Sequence, residues 1–229
     1  MIEIGPGRGA YTRALLPLVD ELHVVEIDGA FVGHLQRQFA GVEKLKIHKA
    51  DVLQTDLSQW GPAIITGNVP YYITSPILEK FLALGADFPV GVFLIQLEVA
   101  NRVIAKSMTR DFGYLTVAAQ LVCSAELICK VDPKYFDPPP KVDSAAIRLT
   151  RRSDVPEDLA DILTFASRCF RHKRKTLRNN LRAFYGPAID RQPEGLMRAE
   201  QLGVSGVVEL YRRLHAEGPT GLDMVDEKI

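Results

Sequence analysis

Asn68-Val69-Pro70-Tyr71 puts a side-chain amide, a backbone nitrogen without a hydrogen and an aromatic ring into four residues, directly after the apolar run "PAIITG". An exocyclic amine on a base such as adenine is a poor nucleophile, because its lone pair is delocalised into the ring. A site helps by accepting hydrogen bonds from both amine protons, which favours the pyramidal, reactive form. Asn68 offers a side-chain carbonyl for this, and the backbone carbonyl beside Pro70 offers a second. Pro70 also stiffens the backbone and removes a competing donor. Tyr71 can stack on the base, an interaction worth roughly 1–3 kcal/mol. Most of the acceleration would then come from alignment. A base inside a duplex cannot enter such a pocket, so the target is single-stranded or flipped out. Attack from a pyrimidine carbon would need a nucleophilic cysteine here, and the motif has none. The plainer alternative is a turn shaped by Asn68 and Pro70.

The methyl or hydride that such an amine would meet needs a carrier, and a second group of residues suits one. Glu3-Ile4-Gly5-Pro6-Gly7-Arg8-Gly9-Ala10 lies between a strand pattern and a helix pattern. Glycines there permit a tight turn and close approach of a ligand to the backbone. Glu26 ends the second strand pattern, where a carboxylate can accept from both ribose hydroxyls. Asp51 ends the third, where it can accept from an adenine amine, and Asn68 ends the fourth. Open parallel sheets gather ligands at the carboxyl ends of their strands. Each residue alone could be a helix cap or turn former; four in register are less easily explained so. Gly5, Gly7 and Ala10 also satisfy the dinucleotide pattern G-x-G-x-x-G/A. A nicotinamide reading, however, leaves Asn-Val-Pro-Tyr unexplained and supplies no proton donor for hydride chemistry. S-adenosylmethionine fits both motifs, its adenosine on Glu26 and Asp51 and its methionine end over the glycine loop.

These residues need a scaffold, and the first 150 residues supply its pattern. "MIEI", "ELHVVEID", "KLKIHKADV", "AIITGNV" and "VGVFLIQL" read as strands, separated by the helical patterns "AYTRALLPLV", "AFVGHLQRQF" and "SPILEKFLALG". Such alternation predicts a parallel sheet with helices on both faces. "AELICKV" and "SAAIRLT" read as further strands, around the proline-rich "DPKYFDPPPKVDS". Beyond Thr150 apolar residues recur at helical spacing, as in "LADILTFASRCF" and "VVELYRRLHAE". The expected fold class is α/β: a Rossmann-like S-adenosylmethionine-dependent methyltransferase sheet over residues 1–152, followed by a small all-helical domain over residues 153–229. "MVDEKI" reads as a loose tail. The 229 residues are 47% hydrophobic, enough for a core, and their formal net charge of zero gives no global push toward nucleic acid or membrane. Cys123, Cys129 and Cys169 lack metal-ligand or CxxC spacing and read as reduced core residues. No metal is expected. No apolar run approaches a membrane span, and no signal peptide is apparent at the start. A soluble cytoplasmic monomer without membrane attachment is the expectation.

Zero net charge conceals a local excess. Arg168, Arg171, Lys173, Arg174, Lys175, Arg178 and Arg182, with His172, run without an intervening Asp or Glu. Read as a basic helix, they suit phosphate contacts on RNA, whose strength falls with salt.

"EIGPGRGAYT", "VEID", "ADVL", "NVPYYITSPIL", "IQLEVANRV", "YFDPPPKVDSA", "FRHKRKTLRNNL" and "RAEQLGVSGVVELYRRL" together resemble, in order, the KsgA family of ribosomal RNA adenine dimethyltransferases. The resemblance implies methyl transfer from S-adenosylmethionine to N6 of two adjacent adenines near the 3′ end of small-subunit RNA, and a late role in small-subunit assembly. It implies that Gly5, Gly7, Glu26, Asp51, Val52 and Asn68 bind the cofactor. It further implies that Asn68, Val69, Pro70 and Tyr71 hold the target amine, with Phe136 facing the base opposite Tyr71. The family carries an upstream Gly-Gln-Asn-Phe-Leu-like segment that covers the cofactor, whereas this sequence starts at Met1-Ile2-Glu3 inside the first strand. Weaker cofactor binding is the expectation. Two other readings stay open: a large-subunit methyltransferase of the macrolide-resistance type, and a non-catalytic assembly factor for the small subunit.

Overall fold

Short runs rich in Val, Ile and Leu become strands because their side chains fill a sheet with helices on both sides. The computed structural model describes residues 1–216; "MVDEKI", expected as a loose tail, lies outside the described residues. The strands are β1 (Ile2–Ile4), β2 (Leu22–Glu26), β3 (Leu45–Lys49), β4 (Ile65–Asn68), β5 (Val90–Gln96), β6 (Cys123–Val131) and β7 (Ser144–Arg151), joined in one sheet of order β3-β2-β1-β4-β5-β7-β6. The first five are parallel. β7 enters antiparallel between β5 and β6. The parallel sheet expected of the alternating strands is present, and the two later strands extend it into a mixed one. The loop 132–143 joins β6 to β7 without a crossover helix, and strands joined that way run antiparallel.

Helices α1 (Ala10–Leu15), α2 (Gly29–Gln38) and α3 (Thr74–Ala83) fall in the gaps between the parallel strands. Leu15 and Leu16 near the end of α1 and Leu35 of α2 pack with Leu22, Val24 and Leu45 in one buried cluster. Ile77, Leu78 and Phe81 of α3 are also buried, and the Phe81 ring meets Phe93 of β5 edge-on, centroids 5.4 Å apart. At the sheet's centre β1 and β4 lie side by side, Ile4 opposite Gly67. A Cβ on Gly67 would stand 2.4 Å from the Ile4 carbonyl oxygen, so only glycine fits.

The chain forms two compact units: Met1–Asn101 with Val122–Arg152, and Arg102–Leu121 with the chain from Ser153 onward. The sequence places 102–121 in the first domain; these residues group with the helical unit instead. Phe112 packs on Phe170 (6.0 Å between centroids), and the Met108 N–H donates to the Glu200 carbonyl at 2.8 Å. Gln120 holds the segment's own turn, donating to the Val103 and Ala105 carbonyls at 3.1 and 2.9 Å. Within the range, helix α4 (Leu97–Val103) ends and α5 (Tyr114–Val122) begins. The remaining helices are α6 (Leu159–Phe170), α7 (Leu177–Tyr185) and α8 (Gly203–Ala216). Their core centres on Phe165, whose ring meets Tyr185 and Tyr211 edge-on, each at 5.7 Å.

Two of the three cysteines, Cys123 and Cys169, are buried, but Cys129 is exposed. β6 is an edge strand with a register shift between Leu127 and Cys129, and such an irregularity re-aims the side chains that follow it.

On the neighbouring strands β2 and β3, His23 and His48 stack at 5.2 Å and share a 3.0 Å hydrogen bond between Nδ1 and Nε2. Trp60, the sequence's single tryptophan, stacks on both, and Glu21 faces His23 Nε2 at 3.4 Å. Burial first, and the charge of His23 second, hold the His48 imidazole below its usual 6.5. The neutral ring therefore belongs to the folded state. Its contribution to stability is complete above about pH 6.5 and is lost as pH falls from there through the lowered value. Trp60 emission should report the protonation with a midpoint below 6.5, accompanied by a falling melting temperature; a midpoint at or above 6.5 would contradict the packing. Gly67→Ala should cost about 1–3 kcal/mol through overpacking, read as a lower urea midpoint at unchanged slope.

Candidate active site and basic loop

The glycine loop begins where β1 ends. Gly5, Gly7 and Gly9 take φ values of 65°, 55° and 78°, which turn the chain from β1 into α1. The Gly5 N–H donates to Val25 (3.0 Å). The Tyr11 hydroxyl on α1 lies 2.9 Å from the Thr66 hydroxyl, which in turn reaches the Val92 carbonyl (2.8 Å), so the helix start is tied to β4 and β5. Open space lies over Gly7: a Cβ there would meet nothing within 4 Å.

Glu26, at the end of β2, is buried and holds this loop directly. One carboxylate oxygen accepts from the Gly7 N–H at 3.1 Å and the other from the Asp28 N–H at 2.9 Å. The sequence points to ribose contact; the loop-holding bonds have no signal in it. A carboxylate has about four lone-pair sites, so two bonds leave capacity for a ligand. Asp51 follows β3, half-buried, with one oxygen accepting from the Leu53 N–H at 2.8 Å. The Val52 side chain is buried, so its backbone is what it offers a ligand. Glu3 of β1 had no assigned role. It is buried, one of its oxygens has no hydrogen-bond partner, and burial pushes its carboxyl up to about 7 although Thr12 draws it back.

Asn68 ends β4 with its side chain exposed, while Val69 is buried and its N–H donates to Leu94 (3.0 Å), extending the β4–β5 pairing. The Pro70 carbonyl accepts from the Ile73 N–H (3.1 Å) and the Thr74 hydroxyl (3.2 Å) and so closes the short turn Tyr71–Ile73. A Cβ on Gly5 would lie 3.7 Å from both the Asn68 carbonyl and the Pro70 ring, so the two motifs lie against each other. The Tyr71 hydroxyl meets the Ser144 hydroxyl at 2.7 Å, and Ser144, the first residue of β7, is fully buried.

Phe136 follows the short turn Pro133–Tyr135, whose start is capped by the Asp132 carboxylate on the Lys134 N–H (2.9 Å). The structure brings Phe136 together with Asn68, Val69, Pro70 and Tyr71 around one cavity of about 230 Å³, completed by Pro138 and Pro140. That is just under the roughly 300–1,000 Å³ of drug-sized pockets, a scale suited to one planar base. Pro138, Pro140 and Ser144 carry no signal in the sequence: Ser144 reaches Tyr71, 73 residues away, only because β7 pairs beside β4's partner strand.

In the helical unit, the expected continuous basic helix is broken. α6 stops at Phe170 and α7 starts at Leu177, with Thr176 as the cap whose side chain accepts from the Asn179 N–H (3.4 Å). Buried Asn180 donates to the Cys169 and His172 carbonyls at 2.7 and 3.3 Å, satisfying the last turn of α6 and pinning the loop. The missing acidic counterweight also arrives from elsewhere: Asp190 lies 2.8 Å from Arg178 and 3.5 Å from Arg182. Arg168 stacks on Phe184 at 4.3 Å, and Lys173 donates to the Arg110 carbonyl. Arg171, Arg174 and Lys175 stand exposed with His172 on the loop. Among the described residues, no group of three or more His, Cys, Asp or Glu could hold a metal ion, and no helix is long and apolar enough to cross a membrane.

The family described as ribosomal RNA adenine dimethylase matches residues 1–210. A ribosomal RNA small subunit methyltransferase A from Rubrobacter xylanophilus is 37% identical over 224 residues, covering 93% of this chain and 84% of that protein. The crystal structure of a dimethyladenosine transferase from Plasmodium falciparum shares the fold, with a TM-score of 0.76, 24% identity, and coverage of 94% of this chain and 88% of that one. The crystal structure of the 23S rRNA methyltransferase ErmE superposes with a TM-score of 0.66 at 28% identity, covering 93% of this chain and 89% of the other. Matched over nearly its whole length and sharing more than a third of its residues with a small-subunit methyltransferase, the chain belongs to the ribosomal RNA adenine dimethylase family.

Proposed function

We propose that this chain transfers methyl groups from S-adenosylmethionine to N6 of two adjacent adenines near the 3′ end of small-subunit ribosomal RNA, in the cytoplasm and late in small-subunit assembly. The observation that carries the reading is the single cavity in which Asn68, Val69, Pro70, Tyr71 and Phe136 meet, lying against the glycine loop.

The residues present fit the cofactor. Open space over Gly7 accommodates a ligand lying on the loop, and two carboxylates, Glu26 and Asp51, stand at neighbouring strand ends. Adenine presents an amine donor beside a ring-nitrogen acceptor, which matches the Asp51 carboxylate beside the Val52 N–H. Glu26 would accept from ribose while still holding Gly7 and Asp28. When bound, S-adenosylmethionine supplies a methyl group on a positively charged sulfur. Asn68 and the Val69 carbonyl accept from the two protons of the target amine, the Pro70 carbonyl being committed to its turn. Tyr71 and Phe136 clamp the base, and the Ser144 bond fixes the tilt of the Tyr71 ring. The reaction needs neither a strong base nor a metal, because the amine loses its proton only after the methyl has moved. Arg171, Arg174 and Lys175 hold RNA phosphates.

The likeness to ErmE keeps large-subunit RNA as a second substrate reading, though the more similar curated relative is named for the small subunit. Labelled S-adenosylmethionine with small subunits lacking the modification should yield N6,N6-dimethyladenosine in digested RNA. Product from large-subunit RNA alone would replace the first reading by the second, and subunit binding without any product would favour a non-catalytic assembly factor. Asn68→Ala should lower turnover about a hundredfold or more, the scale of losing one preorganised hydrogen-bonding group at a reaction centre. Ser144→Ala should lower turnover more than subunit binding, and Tyr71→Phe should add little to it, since both remove one bond. Alanine at Arg171, Arg174 or Lys175 should each reduce the slope of log affinity against log salt by about 0.7–0.9. Arg178→Ala should change that slope less, because Asp190 already neutralises its guanidinium.

A further inference from the structure

Two tyrosines flank the cavity without lining it. Tyr72 follows Tyr71, and Tyr135 precedes Phe136, so each wall of the cavity has an aromatic neighbour one residue away on a different loop. They are 83% and 74% exposed. Tyrosine ordinarily buries most of its ring, and a lone exposed aromatic needs no explanation. Two of them, one beside each wall of the same cavity, call for one.

We infer that Tyr72 and Tyr135 are stacking platforms for the unpaired nucleotides on either side of the target base. This rests on the reading of the cavity as the holder of that base. A base drawn out of a strand into the cavity leaves its neighbours unstacked, with apolar faces in water. An exposed ring beside each wall restores that stacking without reading sequence, because every base has a π-face. Tyr71 cannot serve the same purpose, since its hydroxyl is tethered to buried Ser144. Lys134 stands 5.2 Å from the Tyr135 ring centroid on one side, which orients the ring and adds a cation beside an incoming strand.

The local charge shows how such a platform must work. Lys134 and Lys141 are offset by Asp132, Asp137 and Asp143, all exposed on the same loop, and Lys134 pairs with Asp132 at 3.5 Å. Phosphate attraction is therefore weak here, in contrast to the loop 171–176. The binding that the tyrosines contribute comes from stacking and should persist in salt.

The test uses an end-labelled, unstructured oligoribonucleotide with two adjacent adenines, and a second version with abasic sites flanking them. Tyr72→Ala and Tyr135→Ala should each weaken binding of the first by about 5- to 150-fold, the range set by one base–aromatic stack. The loss should be equal at low and high salt, and Tyr→Phe at either position should restore binding. The abasic version should bind the wild-type chain more weakly and be indifferent to the alanine changes. Unchanged affinity in both alanine variants, the same sensitivity on abasic RNA, or no oligonucleotide binding by the wild type would each overturn the inference. Both side chains are exposed, so melting temperature and Trp60 emission should stay at wild-type values, and a shift in either would assign the loss to folding. Methyl transfer to small subunits is scored separately. Dimethyladenosine formed by the wild type with no tyrosine effect sinks only the platform; a tyrosine effect without product sinks only the catalytic reading.

Discussion

The approach of β4 to β1 governs everything at the candidate site. With Ile4 opposite Gly67, a side chain at position 67 would overlap the Ile4 carbonyl. Because the strands are that close and in that register, the residues that follow them, Gly5 and Asn68, emerge together. On the proposed function, a carrier over the glycine loop and an amine at Asn68 would be brought within reach by the sheet itself. Alignment is a large contribution to a transfer of this type, and here it would follow from strand pairing.

The same edge contains two buried glutamates with opposite fates. Glu26 ends its strand and meets two backbone N–H groups. Glu3 sits within β1 with an oxygen that meets no donor, and burial raises it to about 7. Both are buried, and what separates them is the set of donors each meets. Glu26 is bonded into the loop it holds and so shapes the place where the chain turns, whereas Glu3 stays within the central strand.

How much of this was legible depended on whether the information was local. Strand ends were legible because apolar runs stop at polar residues: Glu26, Asp51 and Asn68 were placed at one sheet edge from pattern alone, and the structure puts them there. Phe136 joined them through resemblance, since nothing in "YFDPPPK" tells which loop it faces. Long-range partners were invisible. Ser144 lies 73 residues from Tyr71, and only the insertion of β7 beside β5 brings the hydroxyls together. Asp190 reaches back to Arg178 across a turn that a charge run cannot reveal. The break at Thr176 had a local signal, a capping residue before an apolar face, but the density of Arg and Lys suggested continuity. Segment 102–121 groups with the helical unit although strands lie on both sides of it in sequence, because order along the chain is a poor guide once the chain crosses between units three times.

On the proposed function, charge and contact divide recognition by range. Coulomb attraction from Arg171, Arg174 and Lys175 would be felt over a Debye length, about 8 Å at physiological ionic strength, and would be indifferent to sequence. It would raise the rate of encounter with any RNA. The cavity beside Asn68 would act only at contact and take an unpaired planar base with an exocyclic amine, which bears two protons before the first transfer and one before the second. On that reading neither feature would suffice alone: the basic loop without the cavity would give a nonspecific RNA binder, and the cavity without the loop would wait for a base that is rarely unstacked. A target would then have to be both embedded in dense phosphate charge and locally unpaired, the combination a folded RNA offers at an exposed loop and a free nucleoside or a plain duplex does not.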